Sequence, residues 1–218
     1  MEFEDTVNQR HSIRNYSDKK VDPDIIRKIV EIAQKSPSWV DSQPTKVYVA
    51  KGKALDNIRT AYQKNDQAKI KSQPDLPVMH REDWNERTQE NMQQWRHEIV
   101  HHFDDFDQAH TQMTGASVNL YHAPVILFIT IPKNSSQWSI FDAGLFSQTL
   151  MLAAKNEGLD TIPNYTSVRF PDVVRKEISI PDDETLVVGV ALGYASDQTI
   201  NSFESSRKPV ADILKSDN

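Results

Sequence analysis

The 218-residue chain has no cysteine. Disulfides, a thiolate nucleophile and thiolate metal sites are therefore excluded. Glycine is scarce, at 6 residues, and no two form a Gly-x-Gly turn. A dedicated dinucleotide fingerprint is thus absent. No apolar run approaches the roughly 20 residues needed to span a bilayer. The opening, Met1-Glu2-Phe3-Glu4-Asp5, is acidic and lacks an apolar signal core. The expectation is a cytoplasmic protein with no membrane partner. There is no excess of positive charge either. The net charge of −6 argues against nonspecific nucleic-acid binding. The chain also shows no internal repeat and no low-complexity tract.

What is present fits a soluble globular chain: 38% hydrophobic and 26% charged residues. The length suits one domain over 1–218 with a substantial core. A short helix is predicted over 2–9. Asp22-Pro23-Asp24 reads as a helix start, with Asp22 as cap and Pro23 in the first turn. Ile25, Ile26, Ile29, Val30 and Ala33 then recur at helical spacing, and the helix should stop before Pro37. Val47–Ala50 reads as a buried strand ended by Gly52, followed by a helix from about 54 to 63. Val125–Ile131 is the strongest strand, apolar on both faces as a central strand should be. Residues 141–156 form a helix that is apolar nearly all round, which places it in the core or at an oligomer interface. Gly158 caps it. A short strand running into a polar loop over 161–167, a short helix over 172–176, a strand over 186–192 and a tail from 201 with a last short helix complete the pattern.

Residues 64–117 stand apart. They are rich in Gln, His, Asp and Glu, with a long polar helix predicted from Glu82 to about Phe103. Trp84, Arg87, Met92, Trp95 and Ile99 mark its stickier side. The segment reads as a lid or arm over the core. Inside it, His97-Glu98-Ile99-Val100-His101 matches the pattern of zinc peptidases, two histidines one turn apart with a glutamate base. A third ligand is hard to find. No Glu occurs between Glu98 and Glu157, and Asp104 stands before Asp107 where a turn glycine would be needed. A zinc-dependent metallopeptidase remains one alternative reading.

The chain is organised around Arg10-His11-Ser12-Ile13-Arg14. Arg10 and Arg14, four apart, share a face of a helical turn and can reach one anion. Ser12 and His11 add donors suited to phosphate or ribityl oxygens. Downstream, Ser36-Pro37-Ser38-Trp39-Val40-Asp41-Ser42-Gln43-Pro44 is a stiff loop dense in hydrogen-bonding groups.

These segments resemble the nitroreductase family of FMN-dependent oxidoreductases. Arg10-His11-Ser12-x-Arg14 looks like the family's N-terminal FMN motif. Ser36-Pro37-Ser38 with Asp41-Ser42-Gln43-Pro44 looks like its Pro-Ser-Ser-x-Asn-x-Gln-Pro loop. Ala123-Pro124, the 142–158 helix, Pro163, Gly193-Tyr194 and Arg207-Lys208-Pro209 follow in the family's order. The resemblance implies an α+β fold: a three-layer α/β/α sandwich with a mostly antiparallel sheet, in an intertwined homodimer with FMN at the interface. The 201–218 tail would reach the partner subunit.

The same resemblance implies the roles. Arg10 and Arg207 neutralise the FMN phosphate, with His11 and Ser12 donating to phosphate or ribityl oxygens. Arg14 sits near the flavin pyrimidine edge, where a cation favours the anionic reduced flavin. Pro37, Ser38 and Asp41 contribute from the other subunit. Pro163, Asn164 and Tyr165 pass beside the flavin N5, mainly through backbone groups. Four features depart from the family pattern: Asp41 replaces an asparagine, Trp39 replaces a small residue and fills part of the pocket, Asn119 falls where some members carry a lysine, and the loop Asn164-Tyr165-Thr166 lacks the glycine that many members have. The implied activity takes electrons from NAD(P)H through FMN to a nitroaromatic, quinone or similar acceptor. A flavin-binding protein with low turnover is the other alternative.

Overall fold

A computed structural model describes residues 1–216 of the chain. The last two residues of the predicted 201–218 tail lie outside the described residues. Four strands, β1 (Lys46–Lys51), β2 (Val125–Pro132), β3 (Asp160–Asn164) and β4 (Glu184–Gly193), form one sheet in the order β1-β2-β4-β3. All three pairings are antiparallel. The β2 side chains alternate between two cores, as the period-two pleat requires. Ile126 and Phe128 enter one cluster, and Val125, Leu127, Ile129 and Ile131 enter the other. Both clusters are apolar and buried, which is why this strand reads as continuous apolar sequence.

Among the described residues, eight α-helices accompany the sheet: α1 (Phe3–Gln9), α2 (Pro23–Ala33), α3 (Gly52–Gln67), α4 (Glu86–His101), α5 (Phe106–Val118), α6 (Gln137–Asn156), α7 (Pro171–Ile178) and α8 (Val210–Ile213). Ile26, Ile29 and Ala33 of α2 share a cluster with Ala143, Phe146 and Leu150 of α6 on one face. Leu55, Ile58 and Tyr62 of α3 share the other with Val174 of α7. The result is the expected three-layer α/β/α sandwich. Each fully buried Ile, Leu or Phe contributes about 1.5–3 kcal/mol, so these two clusters carry the fold.

Local chemistry explains most element ends. Asp22 caps α2 by accepting from the Asp24 N–H at 2.9 Å, with Pro23 in the first turn. Gly158, at φ +77°, ends α6 in the left-handed conformation that glycine tolerates best. Several boundaries differ from the sequence expectation: α3 runs on to Gln67 rather than about 63, and two others have a clear cause. The polar helix starts at Glu86 rather than Glu82, because Asn85 accepts from the Thr88 N–H at 3.0 Å and acts as the cap. Helix α6 starts at Gln137, a turn earlier than Phe141, and carries Trp138 and Phe141 outward, each 57% exposed. It buries one face against α2 and the sheet and leaves an aromatic face uncovered, rather than being buried all round. Among the described residues, no helix is long and apolar enough to cross a membrane.

Candidate active site

The arginine stretch is extended, not helical. Helix α1 ends at Gln9, and Ser12 then bridges Thr161 of β3 in parallel while Tyr16 bridges Ala195. Ile13 and Tyr16 are buried in the core, which forces this geometry. Arg10, Ser12 and Arg14 still share a side, by the period of two that governs extended chain rather than by a helical turn. All three line one cleft of about 410 Å³, together with His11, Gln148, Phe203, Glu204 and Arg207.

The cleft is cationic and short of internal partners. Among the described residues, Arg10, Arg14 and Arg207 have no carboxylate within ion-pair distance. Arg14 is only 8% exposed. Its Nη1 donates to the Ser12 carbonyl at 3.0 Å, and its guanidinium lies 5.6 Å from the Phe203 ring centre. Burial holds Arg14 below the ordinary guanidinium range. Burial also lowers Arg10, and the like charge of Arg207 lowers it further. Burying a charge without a partner is costly. Two guanidinium groups held close enough to repel, beside a third that is buried, form a site suited to a polyanionic ligand such as a phosphate ester. Arg207 folds back on its own segment, with Nη1 donating to Ser205 O, Ser205 Oγ and Ser206 O. His11 is fixed in place: Nε2 lies 2.9 Å from Asn201 O, Nδ1 lies 3.1 Å from Gln9 O, and Glu204 is 3.6 Å away.

Other predicted site residues lie elsewhere in the protomer. Pro37 and Ser38 line a separate cavity of about 100 Å³ with Asp142 and Phe146. The Asp142 carboxylate, 4% exposed, accepts the Trp39 N–H at 3.2 Å on both oxygens. Val40, Asp41 and Gln43 all have positive φ, at 47°, 56° and 45°. Such a turn persists only where its surroundings hold it, here through Asp142 and the Ser38 hydroxyl, which accepts from the Gln43 N–H at 2.9 Å. Trp39 and Val40 project outward, 57% and 76% exposed. At the end of β3, Pro163 and Tyr165 are exposed while Asn164 is buried. Asn164 Oδ1 accepts from the Ser167 N–H and its Nδ2 donates to Gly189 O, bracing the loop. Asn119 is not among the residues lining the arginine cleft. Its amide donates to Gly115 O and accepts from Gln63, capping α5.

The histidine pattern does not build a metal centre. Helix α4 stacks the His97 and His101 rings at 3.9 Å, and His101 Nδ1 faces the His97 carbonyl at 2.8 Å. Glu98 is engaged by Ser206. Among the described residues, no group of three or more His, Cys, Asp or Glu side chains is placed to hold a metal ion.

A sequence model of the nitroreductase family matches residues 7–194. The chain belongs to the nitroreductase family. Its curated relatives include the 4-nitrobenzoate reductase of Pseudomonas putida, 29% identical over 95% of this chain and 92% of that protein. The nitrobenzene nitroreductase of Ectopseudomonas oleovorans is 28% identical over 88% of this chain and 86% of that protein. Among solved structures, the fold is similar to the FMN-dependent nitroreductase NfnB from Mycobacterium smegmatis in complex with NADPH. That likeness has a TM-score of 0.89 and 23% identity, over 99% of this chain and 97% of that one.

Within this nitroreductase scaffold, two cleft residues, Phe203 and Gln148, and a third that braces the cleft from behind, Asn201, carry no signal in the sequence. Asn201 is buried and bonds the backbone of both Arg14 and Asn15. Phe203 lies beneath Arg14, and Gln148 reaches the cleft from α6. An Asn and a Phe in an irregular tail, or a Gln on a helix, carry no local signature. Only the docking of the tail against residues 10–16 reveals them.

Proposed function

We propose that this chain is an FMN-dependent oxidoreductase that passes electrons from NAD(P)H to nitroaromatic, quinone or similar acceptors. The observation that carries this reading is the cleft formed by Arg10, Ser12, Arg14 and Arg207, partly buried, whose three arginines have no carboxylate within ion-pair distance among the described residues. Arg10 and Arg207 would hold the phosphate, with the Ser12 hydroxyl as a further donor. Arg14, more deeply buried, would face the flavin pyrimidine edge. FMN held there would supply two-electron redox chemistry between the nicotinamide and the acceptor. The chain's own task is to orient the ligands and to set the electrostatic field, so no nucleophile or acid–base triad is required. The NADPH complex of the similar NfnB supports the nicotinamide donor. The reductases of 4-nitrobenzoate and nitrobenzene support an aromatic nitro acceptor.

The same reading includes a homodimer. Trp138 and Phe141 on α6, with Trp39 and Val40 nearby in the fold, leave an apolar surface that a second copy would cover. Pro37, Ser38, Trp39 and Asp41 would then approach the partner's cleft. The test is the absorbance spectrum of the purified protein before and after NADPH. A yellow protein that bleaches on addition is expected. A colourless protein that fails to take up FMN would overturn the reading, and a yellow protein that stays oxidised would reduce it to a flavin-binding protein with little turnover.

A further inference from the structure

The C-terminal segment that carries Arg207 has no sheet or helix of its own until α8 begins at Val210. Arg207 is exposed, and the charge of Arg10 pushes against it. Something must hold it over the cleft. Both residues beside it in sequence are pinned to α4. Glu98 accepts from the Ser206 N–H at 3.2 Å and from the Ser206 hydroxyl. Gln94, one turn earlier on the same face, donates to Ser206 Oγ at 3.1 Å and to Glu98 at 2.9 Å. Lys208 Nζ donates to the Gln94 side-chain oxygen at 2.5 Å. Helix α4 and its cap His102 also meet the chain that precedes Ser206. Trp95 meets the Phe203 ring edge-on at 6.5 Å, and His102 Nε2 lies 3.1 Å from Thr199 O.

We propose that Glu98 is a positioning residue for the cofactor phosphate, acting through Ser206 to hold Arg207 beside Arg10. The inference rests on the reading of the cleft as the FMN phosphate site. On this view the polar insertion is a strut for that site rather than a lid over it. Ordering the tail in advance removes an entropic cost from the binding step, which is how preorganisation raises affinity.

The test is the dissociation constant of the full chain for FMN and for riboflavin, which lacks the phosphate. Glu98→Ala is expected to weaken FMN by about 5–10-fold, the scale of one ordinary net hydrogen bond, and to leave riboflavin unchanged. Glu98→Gln keeps an acceptor for Ser206 and should recover part of the loss. Ser206→Ala, which removes only a surface hydroxyl, should show a smaller loss with the same selectivity. In an Arg207→Ala background, Glu98→Ala should add nothing further. Equal losses for FMN and riboflavin, an undiminished loss in the Arg207→Ala background, or no loss at all would overturn the proposal. If the unaltered protein binds riboflavin as tightly as FMN, the reading of the cleft as a phosphate site fails instead.

Discussion

The side-chain oxygen of Asn201 accepts the backbone N–H groups of both Arg14 and Asn15, at 2.8 and 3.0 Å. Its Nδ2 donates to Asn15 O at 2.7 Å and to Ser196 O at 3.0 Å. One buried amide thus satisfies the backbone of the arginine stretch from the far end of the chain.

Asn201→Ala should therefore lower stability as well as FMN affinity. It leaves two backbone donors and two acceptors without this partner, and each buried group left unsatisfied costs about 1–3 kcal/mol before water or relaxation compensates. A net loss of about 2–4 kcal/mol is expected in urea unfolding of the FMN-free protein. A loss below about 0.5 kcal/mol, the range of ordinary surface changes, would show that the contact is incidental.

Arg14→Ala and Arg207→Ala should separate two functions. The phosphate charge is the same in both redox states, so losing Arg207 removes uniform binding, about 1.5–3 kcal/mol for a charge-assisted bond. Negative charge grows at the pyrimidine edge only on reduction, so losing Arg14 should lower the flavin midpoint potential and slow reduction more than it weakens FMN retention. Titration of FMN into each variant and a potentiometric measurement check both. An unchanged potential in Arg14→Ala sinks the assignment of that residue.

Glu184 makes stability depend on acid pH. Burial pushes its carboxyl up, but hydrogen bonds from Lys46, Thr130 and Tyr48 outweigh that and leave it below the usual range. A depressed folded pKa stabilises above the unfolded value of about 4.3 and is lost as pH falls through the lower folded value. Glu184→Gln should thus cost about 1–3 kcal/mol at neutral pH. The gap from the unaltered protein should narrow steadily below the unfolded value. Urea midpoints that stay equally far apart at both ends of this range would contradict it.

Phe141→Glu should prevent dimerisation. The ring is 57% exposed on α6 and stacks edge-on with Trp138 at 6.1 Å. A carboxylate in the centre of a buried apolar interface would carry a desolvation penalty with no partner. Sedimentation velocity should show a dimer for the unaltered chain and a monomer with reduced flavin content for the variant. A folded monomer in the unaltered chain at micromolar concentration would refute the dimer.

The sandwich was legible because its signals are local. The double-faced apolar run of β2, the Asp22-Pro23 cap and Gly158 each determine their own element. The cationic stretch was legible as chemistry but not as conformation, since the bridge from Ser12 to Thr161 depends on a strand 149 residues away (161 − 12). Leu120, Tyr121 and His122 all have positive φ, at 49°, 61° and 54°, and nothing in those residue types announces it. The turn is held from outside, by Arg59 donating to Asn119 O at 3.0 Å and to Ala123 O at 2.9 Å. The same non-locality hides the tail. Ser206 and Lys208 engage α4 of their own chain, and no local signal in the tail announces that contact.

The bond between Arg14 and Asn201 joins positions 187 residues apart. A ribosome adds about 5–20 residues per second, so the first half of the cleft waits on the order of 10–40 seconds for the second to be made. The sheet strands β1 and β2 can pair during that interval, but the anion site cannot close. On the proposed reading of the cleft, cofactor capture is therefore a late event in the life of the nascent chain, and flavin colour would report on molecules whose synthesis has passed Asn201.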